Sequence, residues 1–199
     1  MHDWARLRIE ELLAAQWPGE WGVDPEVSKS TAVAYRSTEL DDDGHLRPSA
    51  VQRLIPESKL ASKKLAPGDV LLEASGGTPG RPVGRVGLYA PDYPEVAICS
   101  NFLRTLRPKP NICPAYLRWV LMQLHRRPEI WRFQQQTTGM SNLHVKDYLR
   151  HKVDIAPPAH QHHIAEILTT IDEAIEQTET LIAKTQQIKG KRPVWASIA

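Results

Sequence analysis

No apolar run in this 199-residue sequence approaches the roughly 18 residues that a bilayer-spanning helix needs. The opening "MHDWARLRIEELL" also lacks the apolar middle of a signal peptide. The expectation is a soluble, cytoplasmic protein without a membrane partner. Cysteine is scarce. Cys99 and Cys113 are the two in the chain and have no CxxC spacing, which argues against a disulfide framework or a thiolate zinc site and leaves two reduced thiols. The signatures of common catalytic sites are missing too: GxGxxG, the phosphate-binding loop with its lysine, GxSxG and HExxH do not occur. "DDDG" at residues 41–44 is a turn, because the twelfth position from Asp41, where an EF-hand needs a bidentate Glu, is Gln52. His160 and His163 in "HQHH" could share a helix face, but first-turn polar residues explain them more simply. No catalytic residue, metal or cofactor is therefore assigned to this chain.

What is present is ordinary globular composition, 41% hydrophobic and 24% charged, enough for one core plus an appendage. The net charge of +2 hides an uneven distribution. Residues 69–155 carry 12 Lys/Arg against 7 Asp/Glu, whereas residues 1–68 carry 9 against 11 and residues 156–199 carry 4 against 5. A basic middle suits a polyanion such as nucleic acid.

The first half reads as mostly strand. "WARLRIEELLAAQ" has apolar residues near helical spacing and opens with a short helix or strand-helix element. "TAVAYRSTEL", "DVLLEAS", "VGRVGLYA" and "EVAICSNFLRTLRP" are strand-like, punctuated by "DDDGHL" and Pro-Gly-Asp turns. In "GGTPGR", Gly76 and Gly77 would supply positive φ and Pro79-Gly80 a second turn. Helical text follows: Pro114 opens a helix with Tyr116, Leu117, Val120, Leu121 and Leu124 on one face, and Pro128 opens a second, "PEIWRFQQQ". "TTGMSN" breaks that helix and "VDIA" reads as a last strand. The fold class is α+β: a mixed, β-rich domain over residues 1–156, followed by a long coiled-coil-type helix over 157–190 and a tail over 191–199.

Pro157 and Pro158 act as a rigid exit, since prolines forbid helix upstream yet are tolerated in a first turn. Beyond them Ile164, Ile167, Leu168, Ile171, Ile175, Leu181 and Ile182 recur with heptad spacing. A helix from Gln161 to Gly190 would be about 45 Å long. No other segment of the chain could cover such a stripe, so the partner is expected to be another chain, with a homodimer the simplest form; the alternative is that the helix folds back on its own domain, against which the short linker "APPA" speaks.

Two polar stretches are suited to binding. Arg81 and Arg85 flank the "GGTPGR" hairpin turn, and a hairpin tip carrying two guanidinium groups can reach phosphates or guanine edges. "QQQTTGMSNLHVKDY" surrounds Gly139 with Thr137, Thr138, Asn142, His144 and Lys146, side chains that hydrogen-bond bases and phosphates. Arg36, Lys63 and Lys64 complete the candidate DNA-contact set.

The order of these signals resembles the specificity subunit of type I restriction-modification systems. The resemblance runs from about Trp4 to Gly190. It is carried most specifically by the strand, double proline, Gln161, Ile164-Ala165 and Asp172, and independently by "GDVLL" at 68–72. It implies a non-catalytic subunit that reads double-stranded DNA and docks methyltransferase (modification) and restriction subunits. Those partners would use S-adenosylmethionine, ATP and magnesium. Family members normally carry two target-recognition domains, each followed by a long helix, the two helices packing antiparallel. This sequence has one such unit, so its seam would be completed by a second copy, as in half-size subunits, or by another protein. It departs from the pattern in its tail, "KRPVWASIA", and in His160, where the family commonly has Glu. Two readings from other classes are a stand-alone nuclease with a helical oligomerisation tail and a coiled-coil adaptor that does not bind DNA.

Overall fold

A computed structural model describes residues 4–25, 30–47, 49–78, 80–90, 92, 96–137 and 139–190. The "VLLE" run forms strand β5 (Val70–Glu73), and all four of its residues are buried because both faces of its sheet are covered. Val70 and Leu72 enter a core shared with helix α2 (Pro114–Arg126), while Leu71 enters a second core with Tyr35, Tyr89 and Cys99. The alternation of a pleated strand produces this division. β5 lies within an antiparallel sheet ordered β2 (Leu13–Pro18), β9 (Leu103–Pro108), β5, β7 (Val86–Leu88). α2 begins at the expected proline and buries Tyr116, Leu117, Leu121 and Leu124. A further sheet sets β3 (Ala32–Tyr35) antiparallel to β4 (Val51–Arg53) and parallel to β8 (Ala97–Cys99). Helix α1 (Glu57–Lys63) follows β4.

The chain departs from its local sequence signals where tertiary contacts decide. The opening segment is β1 (Ala5–Arg8) and one 3-10 turn (Ile9–Leu12) leading into β2, a strand-helix element in which the helix is a single turn. "PEIWRFQQQ" is a 3-10 turn only as far as Phe133. Gln134–Thr137 is strand β10, paired with β11 (Met140–Leu143). The Gln134 side chain accepts from the Val83 amide at 2.9 Å and donates to the Val83 and Ile130 carbonyls at 3.0 and 3.1 Å. No local pattern encodes that bond. "VKDYLR" forms helix α3 (Val145–Arg150), which buries Tyr148 and Leu149. The last strand, β12 (Lys152–Ile155), pairs antiparallel with β1, so the two ends of the mixed fold lie side by side.

Helix α4 runs from Pro158 to Gly190, 33 residues and therefore about 50 Å. Its start is seated on α2. Gln161 is buried, its Oε1 accepting from the Cys113 amide and its Nε2 donating to the Ala156 carbonyl, both at 2.9 Å. The Tyr116 hydroxyl accepts from the Ala156 amide, and Trp119 Nε1 donates to Thr169 Oγ1. Asp172 Oδ2 lies 2.9 Å from His45 Nε2 and 3.5 Å from Arg118 Nη2. From Glu173 to Ile188 every side chain is exposed. The helix thus docks on its own domain through about four turns and then projects.

Replacing Gln161 with Ala leaves a buried N–H and a buried C=O without partners, a loss of about 2–4 kcal/mol. Calorimetry should show the unfolding midpoint falling by roughly 5–15 °C; an unchanged midpoint would mean that this amide does not seat the helix.

Candidate nucleic-acid interface

The two polar stretches meet in one sheet. β6 (Ser75–Gly77) pairs antiparallel with β11, Gly77 opposite Ser141 and Ser75 opposite Asn142, giving the order β10-β11-β6. Antiparallel register puts the end of β6, where the 78–82 loop departs, beside the start of β11, where the Gly139 turn arrives. Gly80 and Gly139 adopt left-handed φ of 84° and 81°, as does Gly76, but Gly77 does not. Gly77 is required for space: a Cβ there would lie 2.9 Å from the Arg81 carbonyl and 2.8 Å from Val83 Cγ1. Thr137 ends β10 opposite Met140, and Asn142 Oδ1 accepts from Ser75 Oγ within the sheet. Thr138 lies outside the described residues.

The arginines flanking the turn have different surroundings. Arg85 is 12% exposed and forms a two-pronged pair with Glu73, itself 4% exposed, at 2.9 and 2.6 Å. It also donates to the Leu40 and Ser37 carbonyls. The Glu73 carboxylate holds the Arg85 guanidinium above its usual pKa. Arg81 is 57% exposed and its guanidinium donates to Asp42, which lies 3.5 Å from Arg85. The Arg81 hydrogen bond draws the Asp42 carboxyl below the ordinary range. Nearby, His125 Nδ1 is buried without a hydrogen-bond partner among the described residues, and burial lowers the imidazole pKa.

The remaining candidates are dispersed. Arg36 is half-exposed and clamps Glu39, which closes a 3-10 turn beside it; the next residue, Ser37, faces Gly76. His144 precedes α3 and contacts Asp147 at 2.7 Å, and Lys146 is exposed in the first turn of α3. Both lie beyond the end of β11 opposite to the Gly139 turn, about 10 Å along the strand. Lys63 points to the Gly19 carbonyl and Glu20, and Lys64 is exposed beside it, both on a different edge from the hairpins. Sequence reading missed the organising part of Asp41, Asp42 and Asp43. They reach His45, Arg81 with Arg85, and Arg126, respectively. The available signal was three consecutive acids ahead of a basic segment.

The apolar stripe of α4 is largely open. Ile164 packs partly on the core, and Leu168 borders the docked face at 37% exposure. Ile167, Ile171, Ile175, Leu181 and Ile182 are exposed, Ile171 and Ile175 each to 52%. Thr178 and Thr185 return their hydroxyls to the carbonyls of Ala174 and Leu181, four residues back, which satisfies the polar atom within the helix. Cys99 and Cys113 are buried free thiols, Cys99 pushed up to about 11 by burial and thus unreactive. Among the described residues no group of three or more His, Cys, Asp or Glu could hold a metal, and no helix is long and apolar enough to cross a membrane.

A mixed sheet-and-helix domain with a projecting amphipathic helix defines a class that the sequence comparison makes specific. Residues 49–187 match the type I restriction modification DNA specificity domain, and the chain belongs to that family. Three solved structures share its fold. The type I restriction-modification S subunit from M. genitalium has a TM-score of 0.60 at 16% identity, over 96% of this chain and 44% of that one. A structure concerned with assembly and conformational transition of the type I R-M system gives 0.60 at 19% identity, over 92% and 42%. The HsdS subunit from Thermoanaerobacter tengcongensis gives 0.54 at 18% identity, over 89% and 39%. The chain spans less than half the length of each of these. No functionally curated protein matches it.

Substituting Arg85 by Ala strands the buried Glu73 charge, which should cost about 3–5 kcal/mol in urea unfolding. The paired replacement Glu73→Gln with Arg85→Met should recover most of that loss. Equal instability of both variants would place the cost elsewhere than in the ion pair.

Proposed function

We propose that this chain is the non-catalytic DNA-specificity subunit of a type I restriction-modification complex, acting in the cytoplasm. Residues 1–156 read one half of a bipartite double-stranded site. The 157–190 helix sets the spacing, pairs antiparallel with a second copy, and docks methyltransferase and restriction subunits, whose chemistry uses S-adenosylmethionine, ATP and magnesium. The observation that carries this reading, beside family membership, is the register of β6 on β11. It brings the 78–82 loop and the Gly139 turn, two polar tips suited to base edges, to the same end of one sheet. In this reading Arg81 and Asn142 serve this sheet, with Arg36 near it and His144 and Lys146 at the end of β11 away from the tips, and Thr137 and Thr138 are further candidate contacts.

The stripe from Ile167 to Ile182 supports the pairing, because no described element covers it. Ile171→Asp with Ile175→Asp would set charges into that seam, and light scattering should show monomer where the parent is a dimer. A parent that stays monomeric at high concentration would contradict the pairing.

Identical readers related by a two-fold axis must read identical half-sites on opposite strands. Methylome sequencing of cells carrying this chain and its methyltransferase should return a palindromic motif with an unspecified central gap. Two unrelated half-sites would mean that a different specificity chain completes the complex. Binding should weaken steeply with salt, and Lys146→Ala should reduce the log–log slope by about one if that lysine meets a phosphate.

A further inference from the structure

A line of alternating charges runs from the buried end of β5 to the exposed loop after β6: Glu73, Arg85, Asp42, Arg81. Its inner end is fixed. Arg85 is held by both oxygens of Glu73 and by two backbone carbonyls, so its position is set by the fold. Asp42 bridges that fixed guanidinium to the exposed one of Arg81. An arginine on a glycine-containing loop would otherwise lose several rotors of freedom on binding, and a carboxylate already bonded to it removes part of that cost in advance.

The charge count indicates what such an arginine can recognise. The cleft around it is lined by three carboxylates, Asp41, Asp42 and Glu73, and three guanidinium groups, Arg47, Arg81 and Arg85. It has no cationic surplus with which to attract a phosphate. A guanine edge is neutral and asks for two N–H donors, to O6 and N7. A guanidinium has five donors, so the bond to Asp42 leaves enough for that edge. Carboxylates beside it repel a phosphate and leave the guanine contact intact.

We infer that Arg81 is a specificity-determining residue that reads one guanine in the major groove of each half-site, and that Asp42 is its positioning residue. The inference rests on the DNA-reading function proposed above and goes beyond it by naming the base and the pair of side chains.

The test uses duplexes selected from a randomised library by the full chain, with each guanine replaced in turn by 7-deazaguanine, which pairs normally but lacks N7. One position per half-site should lose about 5- to 100-fold in affinity. Arg81→Ala should bind more weakly and become indifferent to 7-deazaguanine at that position alone, while Arg81→Lys, whose ammonium can still donate to N7, should bind more weakly and keep part of that sensitivity. Asp42→Asn should shrink the discrimination there while leaving the other positions unchanged. The slope of log affinity against log salt should stay the same for Arg81→Lys and Asp42→Asn. Both side chains are exposed, so folding is checked by circular dichroism. A uniform loss over all sequences with the Arg81→Ala salt slope lowered by about one would make Arg81 a phosphate contact and overturn the inference, while DNA reading stands. A parent chain that selects no duplex at all would overturn both.

Discussion

Gln161 stands where both ends of its side-chain amide meet buried backbone groups, the Cys113 N–H and the Ala156 C=O. Those two groups belong to the start of α2 and to the chain just after β12, so one residue ties the exit of the last strand, the central helix and α4 together. Asp172, about three turns on, repeats the tie to His45 and Arg118. Two anchor points fix a direction where one would allow a pivot. Over a helix of about 50 Å a tilt of 10° would carry the far end roughly 9 Å sideways. Any function that depends on where that end lies depends on these anchors first.

The same economy appears in the arginines. Arg53 lies 4.2 Å over the Trp21 ring and donates to the Trp21 carbonyl; Arg107 pairs with both oxygens of Asp69 and covers Trp17; Arg118 stacks on Trp119 while donating to the Gly44 and Asp43 carbonyls. Guanidinium groups suit these places because a planar, delocalised cation can stack and donate at once. Arg107 and Arg118 belong to the basic stretch of residues 69–155, so part of its positive charge is committed within the fold. The surface available to a polyanion is less basic than the sequence tally suggests, which shifts weight from bulk attraction to individually placed contacts.

The sequence was most legible where periodicity is long and self-contained. The 33-residue α4, its proline entry and the face of α2 follow from spacing alone. "GDVLL" was recognisable, and its chemistry is local: Gly68 takes φ of 94°, Asp69 accepts from the Ala66 amide, and the strand begins at Val70. Short elements whose reasons lie elsewhere in the chain were not legible. β1 needs β12 from the far end of the domain, β10 needs Gln134 to find Val83, and the six residues of α3 contain less than two helical turns. For the site, the two loops could be chosen by composition. Their adjacency, and the inward turn of Arg85 against the outward turn of Arg81, depend on β6 meeting β11 and on Glu73 being buried.

The pairing of β1 with β12 places the entrance and the exit of the mixed domain on neighbouring strands, Ala5 opposite Ile155. Everything between them forms a closed circuit whose two leads emerge at one socket, next to the seat of α4. A different domain with the same two leads could be plugged into that socket without moving the helix. Under the DNA-specificity function proposed above, sequence preference could then be exchanged as a cassette, while the seat and direction of α4 are inherited unchanged.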